Sequence, residues 1–329
     1  MSAMNAFIGK IIASPYAGIM RLRRWAYRRG IMKSYSVDAP VICIGNITVG
    51  GTGKTPMVAW VVESLKEAGR KPAILIRGYK AVGGRSDEAE LLKRSTGAPV
   101  IVNPDRLAGA QKAIADGADV LVMDDGFQHL RLRRDLDIVL IDATRPFNGE
   151  MCLPVGRLRE PLTALRDTHV IVITRSDTVP AEILNNLRKR LAHLAPQASI
   201  HTAVHKPVKL IDEKGVELPP DALYGRKVCA FCGIGNPEGF FATLTEIGAR
   251  IAEKVVFGDH ISYGPSEIES ITSAVDSSGA ETVVTTAKDR IKIDNPASLP
   301  RPLWTLEVQM RMAEGEQSLV DMLYQTLQV

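Results

Sequence analysis

The sequence has few cysteines and no long apolar run. Four cysteines are too few for a disulfide framework in a chain of 329 residues, which fits a reducing compartment. No apolar stretch approaches the roughly 18 residues that a membrane-spanning helix needs. The net charge of +4 is too small to indicate a nucleic-acid partner, and we expect none. The composition is otherwise that of an ordinary globular protein, with 45% apolar and 24% charged residues.

Acidic residues are missing from the first 37 positions, which carry seven lysines and arginines. This excess of positive charge indicates attraction to a negative surface. A first helix is predicted by an apolar stripe at helical spacing: Met4, Phe7, Ile8, Ile11 and Ile12. Ser14-Pro15 predicts the start of a second helix, on which Arg21, Arg24 and Arg28 share one face. We therefore expect residues 1–30 to form a basic amphipathic segment in a lipid headgroup layer, the alternative being a helix packed on the protein's own core.

The pair Cys229-Ala-Phe-Cys232 has the spacing of a redox or metal motif. It lies in an apolar, strand-like run, and no second close pair of cysteine or histidine completes a zinc site. We expect two buried strand thiols rather than a reactive pair.

Continuous apolar runs recur along the first two thirds of the chain with helical patterns between them. They are Val41 to Ile44, Ala73 to Ile76, Val100 to Val102, Val120 to Met123, Ile138 to Ile141, and Val170 to Ile173. Such runs favour strands buried on both faces, so we predict a doubly wound α/β domain with a mostly parallel sheet over residues 31–200. Past residue 200 a fresh set of strand and helix patterns predicts a smaller α/β domain over 201–329, closed by a C-terminal helix.

A phosphate-binding loop follows the first apolar run. Residues Thr48, Val49, Gly50, Gly51, Thr52, Gly53, Lys54 and Thr55 read T-V-G-G-T-G-K-T. Glycines let successive backbone amides point at a polyphosphate, Lys54 would reach the β- and γ-phosphates, and the Thr55 hydroxyl would bind Mg²⁺. The usual pattern has glycine where this chain has Thr48. The order of strand, loop and helix predicts a nucleoside triphosphate ligand.

Two carboxylates, Asp124 and Asp125, end the apolar run Val120 to Met123 and begin the polar cluster D-D-G-F-Q-H. A P-loop enzyme usually brings a magnesium-binding aspartate to its site in this way, and ligands bind at this edge of open α/β sheets. Three further segments are chemically suggestive, although each alone is typical of an ordinary polar loop: an acidic loop at Ser86 to Glu90, two arginines in Leu153 to Pro161, and an acid beside a histidine at Asp259-His260.

Taken in order, these segments resemble the tetraacyldisaccharide 4'-kinases, the lipid A kinases of the bacterial envelope pathway. The resemblance covers essentially the whole chain. It rests on the ordered motifs V-G-G-T-G-K-T, R-G-Y, S-D-E, D-D-G-F-Q-H, G-R-L-R-E-P, F-G-D-H and T-T-A-K-D.

The resemblance implies transfer of the γ-phosphate of ATP, with Mg²⁺, to the 4'-hydroxyl of a tetraacylated glucosamine disaccharide 1-phosphate, which gives lipid IVA. It implies a peripheral or monotopic enzyme at the cytoplasmic face of the bacterial inner membrane, with the lipid surface and the acylated disaccharide as partners. We infer no obligate protein partner. The residues that match the family's functional positions are Lys54 and Thr55 for phosphate and magnesium, Asp124 and Asp125 as paired acids, Asp87 with His260 as a catalytic pair, and Arg106, Gln128 and Arg159 near the substrate or phosphates.

The main rival is a membrane-associated ATPase switch of the partitioning type. Such proteins carry a signature lysine early in the loop, where this chain has Val49. A GTP-dependent switch would need N-K-x-D, and Thr174-Arg175-Ser176-Asp177 supplies only the aspartate.

Overall fold

The computed structural model describes residues 3–78, 86–147, 149–259 and 261–328, with side chains from residue 15 onward. Two compact units emerge. The first comprises Met1–Lys80, Leu92–Val204 and Met310–Val329, and the second comprises Ala81–Leu91 and His205–Gln309. The sequence-based division near residues 30 and 200 stays a prediction.

The helices are α1 (Ala3–Arg28), α2 (Lys54–Glu67), α3 (Asp87–Thr96), α4 (Arg106–Ala115), α5 (Ala181–Leu194), α6 (Pro237–Glu246), α7 (Pro265–Ser278), α8 (Ala287–Arg290) and α9 (Glu316–Thr326). The strands are β1 (Val41–Asn46), β2 (Pro72–Ile76), β3 (Val100–Val102), β4 (Val120–Asp124), β5 (Leu136–Asp142), β6 (Val170–Thr174), β7 (Ser199–Ile211), β8 (Glu217–Leu218), β9 (Lys227–Cys232), β10 (Arg250–Val256), β11 (Thr282–Thr286) and β12 (Leu303–Glu314). None of the helices in the described part of the chain is both long and apolar enough to span a bilayer.

The first unit is built on a parallel sheet with the strand order β3-β2-β4-β1-β5-β6-β7. Its central strands β1, β2, β4, β5 and β6 are buried along their whole length, as the continuous apolar runs predicted. Parallel strands need crossover connections, and helices α4 and α5 supply two of them, packing on the sheet through Ala110 and Leu191. The α/β fold with a mostly parallel sheet is thus confirmed, and β1 and β4 are neighbours, with Ile44 opposite Asp124.

Two predictions about helices were wrong. Helix α1 is continuous from Ala3 to Arg28 with Pro15 inside it, so Ser14-Pro15 does not start a second helix. An internal proline removes one backbone hydrogen bond and strains the helix. The two residues that follow Pro15, Tyr16 and Ala17, pack against a buried apolar cluster of the sheet, and this packing favours an unbroken helix. The Ser86 to Glu90 segment is not a loop, because Asp87 is the first residue of α3 and the Ser86 hydroxyl accepts from the amide of Ala89.

The second unit has its own parallel sheet, with the strand order β10-β9-β11-β12. Helix α6 packs on one face through Phe240 and Phe241, and α7 packs on the other through Ile271 and Val275. The short strand β8 pairs antiparallel with the end of β7. Cys229 and Cys232 are buried free thiols, as predicted, and burial raises the pKa of Cys232 to about 12, so neither is a reactive thiolate.

Candidate active site

The phosphate loop connects the end of β1 to the first residue of α2. Gly50 (φ 127°) and Gly53 (φ 91°) adopt the left-handed backbone region, where a side chain would be strained. Gly53 is also the N-cap of α2, so the helix begins at Lys54 with its positive end at the loop. Loop amides and a helix N-terminus together fit a polyphosphate.

The beginning of this loop is held by the segment Arg157 to Arg159. Thr48 forms an antiparallel bridge with Leu158. The Val49 amide donates to the Arg157 carbonyl at 2.7 Å, and the Arg159 amide donates to the Ile47 carbonyl at 2.7 Å. This pairing explains the departure from the usual motif, because Thr48 lies in an extended ladder that does not need glycine.

Lys54, Asp125 and Arg159 form an ionic cluster at the mouth of the loop. One guanidinium nitrogen of Arg159, Nη1, lies 2.7 Å from Oδ1 and 2.9 Å from Oδ2 of Asp125, and Lys54 Nζ lies 3.6 Å from the same Oδ1. Burial alone would raise the pKa of Asp125, but Lys54 and Arg159 outweigh it and hold that pKa below its usual value. Asp125 therefore stays ionised between two cations that are suited to binding phosphate oxygens.

Asp124 lies beside this cluster at the end of β4. Its side chain is buried, with 1% of the residue exposed. Arg106, the first residue of α4 and itself buried, donates from Nη2 to the Asp124 carbonyl at 3.1 Å. Asp125 then turns the chain with φ 49°, a value uncommon outside glycine. Arg106 thus braces the strand end that presents both acids.

Sequence reasoning missed Asn46, which connects three parts of the site. Its side-chain nitrogen Nδ2 donates to the Thr52 hydroxyl at 3.1 Å, and its side-chain oxygen lies 3.5 Å from Lys54 Nζ. Its carbonyl accepts from Gln128 Nε2 at 2.9 Å. The available signal was a polar residue that ends an otherwise apolar strand directly before the phosphate loop.

Arg175 was also missed, although it lies in the segment that was compared with the guanine motif. Both Nη atoms of Arg175 donate to the Gly51 carbonyl at 3.2 Å, and Nη1 lies 2.5 Å from Oδ2 of Asp142. The neighbouring Thr174 hydroxyl donates to the Thr52 carbonyl at 3.0 Å. These contacts fix the loop from the side of β5 and β6.

The structure brings together most of the predicted site residues of the first unit. Thr55 follows Lys54 in the first turn of α2, and Gln128 is linked to Lys54 through Asn46. Asp87 begins α3 and belongs to the second unit. His260 lies outside the described residues, as do Tyr79 and the glycines at 83 and 84. The preceding residue, Asp259, is paired with Lys288 of α8 at 2.8 Å.

The sequence model of the tetraacyldisaccharide-1-P 4'-kinase family matches residues 6–328. The chain belongs to this family. The chain is 37% identical over 305 residues to the tetraacyldisaccharide 4'-kinase of Geobacter metallireducens, covering 86% of this chain and 87% of that protein. It is 38% identical over 318 residues to the enzyme of the same name from Syntrophus aciditrophicus, covering 88% and 85%.

One solved structure resembles the chain over nearly its whole length. It is the LpxK of Aquifex aeolicus, described as an "apo" form in complex with ATP, with a TM-score of 0.75 and 25% sequence identity. The match covers 98% of this chain and 99% of that one. Membership of this kinase family disfavours the partitioning-type ATPase.

Proposed function

We propose that the chain transfers the γ-phosphate of ATP to the 4'-hydroxyl of a tetraacylated glucosamine disaccharide 1-phosphate, forming lipid IVA. The observation that carries this proposal is the cluster of Lys54, Asp125 and Arg159 at the mouth of a glycine-rich loop. Phosphoryl transfer needs positioning and charge stabilisation more than covalent chemistry, and this cluster provides cations on one side and a metal-binding acid on the other.

Lys54 would contact the β- and γ-phosphates, and the loop from Thr48 to Thr55 would surround the polyphosphate. Mg²⁺ prefers a few hard oxygen ligands together with phosphate oxygens, and the Thr55 hydroxyl with Asp124 and Asp125 offers such a donor set. When bound, the metal neutralises charge that develops on the transferred group. Arg159, released in part from Asp125, would add a second cation to the transferring phosphate.

On the acceptor side, Asp87 would accept the proton of the sugar hydroxyl and His260 would orient or tune it. Arg106 and Gln128 were expected near the substrate or phosphates. Gln128 supports this role because its Oε1 is buried and lacks a hydrogen-bond partner among the described residues, which leaves an acceptor for a ligand hydroxyl. Arg106 supports it indirectly by holding the Asp124 carbonyl.

The membrane part of the proposal rests on the outer face of α1. Ile19, Leu22 and Trp25 are 60%, 63% and 47% exposed, and the exposed Arg21 and Arg29 flank them. Such a face fits peripheral contact with an anionic leaflet, where each arginine adds about 1 kcal/mol of attraction. A lipid acceptor could then keep its acyl chains in the bilayer while its headgroup enters the site.

The test is incubation of the protein with ATP, Mg²⁺ and the tetraacyldisaccharide 1-phosphate, followed by mass spectrometry and NMR of the lipid. We expect one added phosphoryl group at the 4' position. Asp87→Ala should bind ATP normally and lose most of the transfer. An unmodified lipid, with ATP hydrolysed to free phosphate, would instead support a switch-type ATPase.

A further inference from the structure

Helix α1 makes polar contacts with both peptide segments that carry the ionic cluster. The Tyr16 hydroxyl donates to the carbonyl of Arg159 at 2.9 Å. Arg23 Nη1 donates to the carbonyl of Gln128 at 3.0 Å. The helix therefore touches the main chain of the L-R-E-P loop and of the D-D-G-F-Q-H segment.

Arg24 is the centre of these contacts. Its Nε lies 2.8 Å and its Nη2 2.5 Å from Oε2 of Glu160, and its Nη1 donates to Asp167 at 3.1 Å. Its Nη2 also approaches the Phe127 carbonyl at 3.4 Å, and the guanidinium lies over the Phe127 ring at 4.6 Å. One side chain thus binds the residue after Arg159 and the residue two positions after Asp125.

This arrangement is buried. Arg24 is 5% exposed and Glu160 is 2% exposed. A buried ion pair is weak evidence for stability, since removal of two charges from water costs as much as their attraction returns. The ion pair contributes more to geometry than to stability. A planar guanidinium that binds two carboxylates and stacks on an aromatic ring fixes the relative position of all three groups.

The sequence pattern placed Arg21, Arg24 and Arg28 on one face of a helix in a lipid headgroup layer, with a helix packed on the protein's own core as the alternative. For Arg24 the alternative holds, because this residue is buried. Arg28 pairs with Asp167, and Arg24 points into the protein. The exposed apolar residues of α1, which the proposed function assigns to lipid contact, are Ile19, Leu22 and Trp25. The helix therefore exposes apolar residues outward and binds the segments of the ionic cluster through Arg23 and Arg24.

We propose that Arg24 is a positioning residue for phosphoryl transfer: by binding Glu160 and Phe127, it sets the relative position of Arg159 and Asp125, so that turnover depends on the seating of α1. The contacts of Arg24 are with Glu160, Asp167 and Phe127. Its effect on the bound phosphates would therefore pass through the main chain on either side of the ionic cluster. The inference rests on the proposed function.

The first variant is Arg24→Lys, which keeps the charge but loses the planar fork and the stacking on Phe127. We expect kcat to fall at least about tenfold, with KM for ATP and for the lipid changed less than about threefold. The melting temperature and binding to anionic vesicles should stay close to those of the unmodified protein. A loss confined to kcat indicates displaced catalytic groups rather than lost binding.

Two further variants make the test specific. Tyr16→Phe removes one hydroxyl, leaves Arg24 in place, and should lower kcat about threefold without affecting folding. Arg28→Met removes the neighbouring half-exposed ion pair with Asp167 and leaves the hydrogen bonds of Arg24 to Glu160 and Phe127 in place. It should leave kcat within about twofold of the unmodified protein.

The proposal is overturned if Arg24→Lys folds and keeps kcat within twofold, if its defect lies in KM or vesicle binding, or if Arg28→Met loses as much kcat. If Arg24→Lys does not fold, Tyr16→Phe decides, and unchanged kcat in that variant overturns the proposal. Absence of transfer by the unmodified protein would contradict the proposed function as well. Normal transfer with unaffected variants would contradict this inference alone.

Discussion

At the residue scale, Asp125 combines an unusual backbone conformation with two ionic partners. The motif D-D-G-F-Q-H identified both acids from sequence. The pairing of Asp125 with Arg159 could not be predicted, because the two residues lie 34 positions apart and meet through the bridge between Thr48 and Leu158. Charge identity is readable in sequence, whereas the partner of each charge depends on how the loops pack.

Asp125→Asn is expected to lower kcat by about 100-fold, because it removes a charge that holds Lys54 and Arg159 and that is proposed to bind the metal. ATP affinity should change by less than about fivefold, since the loop amides remain. Steady-state kinetics with the lipid acceptor and calorimetric ATP titration measure the two effects. Asp116→Asn, which breaks a surface pair with Lys112, is the control. Equal activity of the two variants would contradict the assigned role.

His129 gives a prediction about pH. Burial, together with Arg106 and Arg134, lowers the pKa of His129 from 6.5 to about 4. At pH values between these two pKa values, the unfolded chain therefore binds a proton at His129 that the folded chain does not bind. As pH falls from about 6.5 toward 4, this difference decreases the free energy of unfolding.

His129→Gln should remove this acid sensitivity. Each pKa unit is worth about 1.4 kcal/mol, and partial exposure of the ring reduces the expected total to about 1–2 kcal/mol. Urea unfolding at pH 7 and pH 4.5 measures it, with His193→Gln on the exposed side of α5 as the matched control. If the stability of His129→Gln falls with acid as much as that of the unmodified protein, the burial argument is incorrect.

At the scale of elements, the strands with continuous apolar runs were predictable and the charged edge strand was not. Strands β1, β2, β4, β5 and β6 carry such runs because both of their faces are covered. Strand β10 was missed because it is an edge strand whose residues are largely exposed and include Arg250, Glu253 and Lys254. The start of helix α3 was taken for a loop because it follows the glycines at 83 and 84, although the acids in its first turn favour a helix N-terminus.

A substitution at Gly45 tests how closely β1 packs against the D-D-G-F-Q-H segment. A Cβ at this position would lie 2.6 Å from the Phe127 Cβ and 2.9 Å from the Phe127 amide nitrogen. Because the neighbour is backbone, Gly45→Ala should destabilise the protein by about 1–3 kcal/mol. Gly18→Ala in α1, where a Cβ meets no atom within 4 Å, should stabilise it by about 0.5–1 kcal/mol. Thermal unfolding of both variants with the same sign of change would contradict the packing argument.

For the whole molecule, residues 1–30 have two proposed roles that a deletion cannot separate. Because Arg24 binds Glu160, removal of α1 would disturb the site as well as any lipid contact. Sequence reasoning predicted helical structure here, but it divided the helix at Ser14-Pro15 and placed Arg24, which is buried, on the face toward lipid. The reason is that a periodic pattern does not say which face the rest of the chain covers.

Leu22→Glu combined with Trp25→Glu changes the outer face alone. We expect binding to vesicles that contain phosphatidylglycerol to fall at least about tenfold, because two exposed apolar side chains are replaced by anions. Ile183→Glu, an equally exposed apolar position on α5, is the control and should bind within about twofold of the unmodified protein. Co-sedimentation measures both. Unchanged binding of the double variant would contradict membrane contact through α1.

The measurement that tests the account most directly is the fate of a radiolabelled γ-phosphate in a single turnover with excess enzyme, Mg²⁺ and the tetraacyldisaccharide 1-phosphate. We predict that the label appears on the 4' position of the lipid, and that Lys54→Ala abolishes the transfer. Label found as free phosphate with the lipid unchanged, or undiminished transfer by Lys54→Ala, would contradict it.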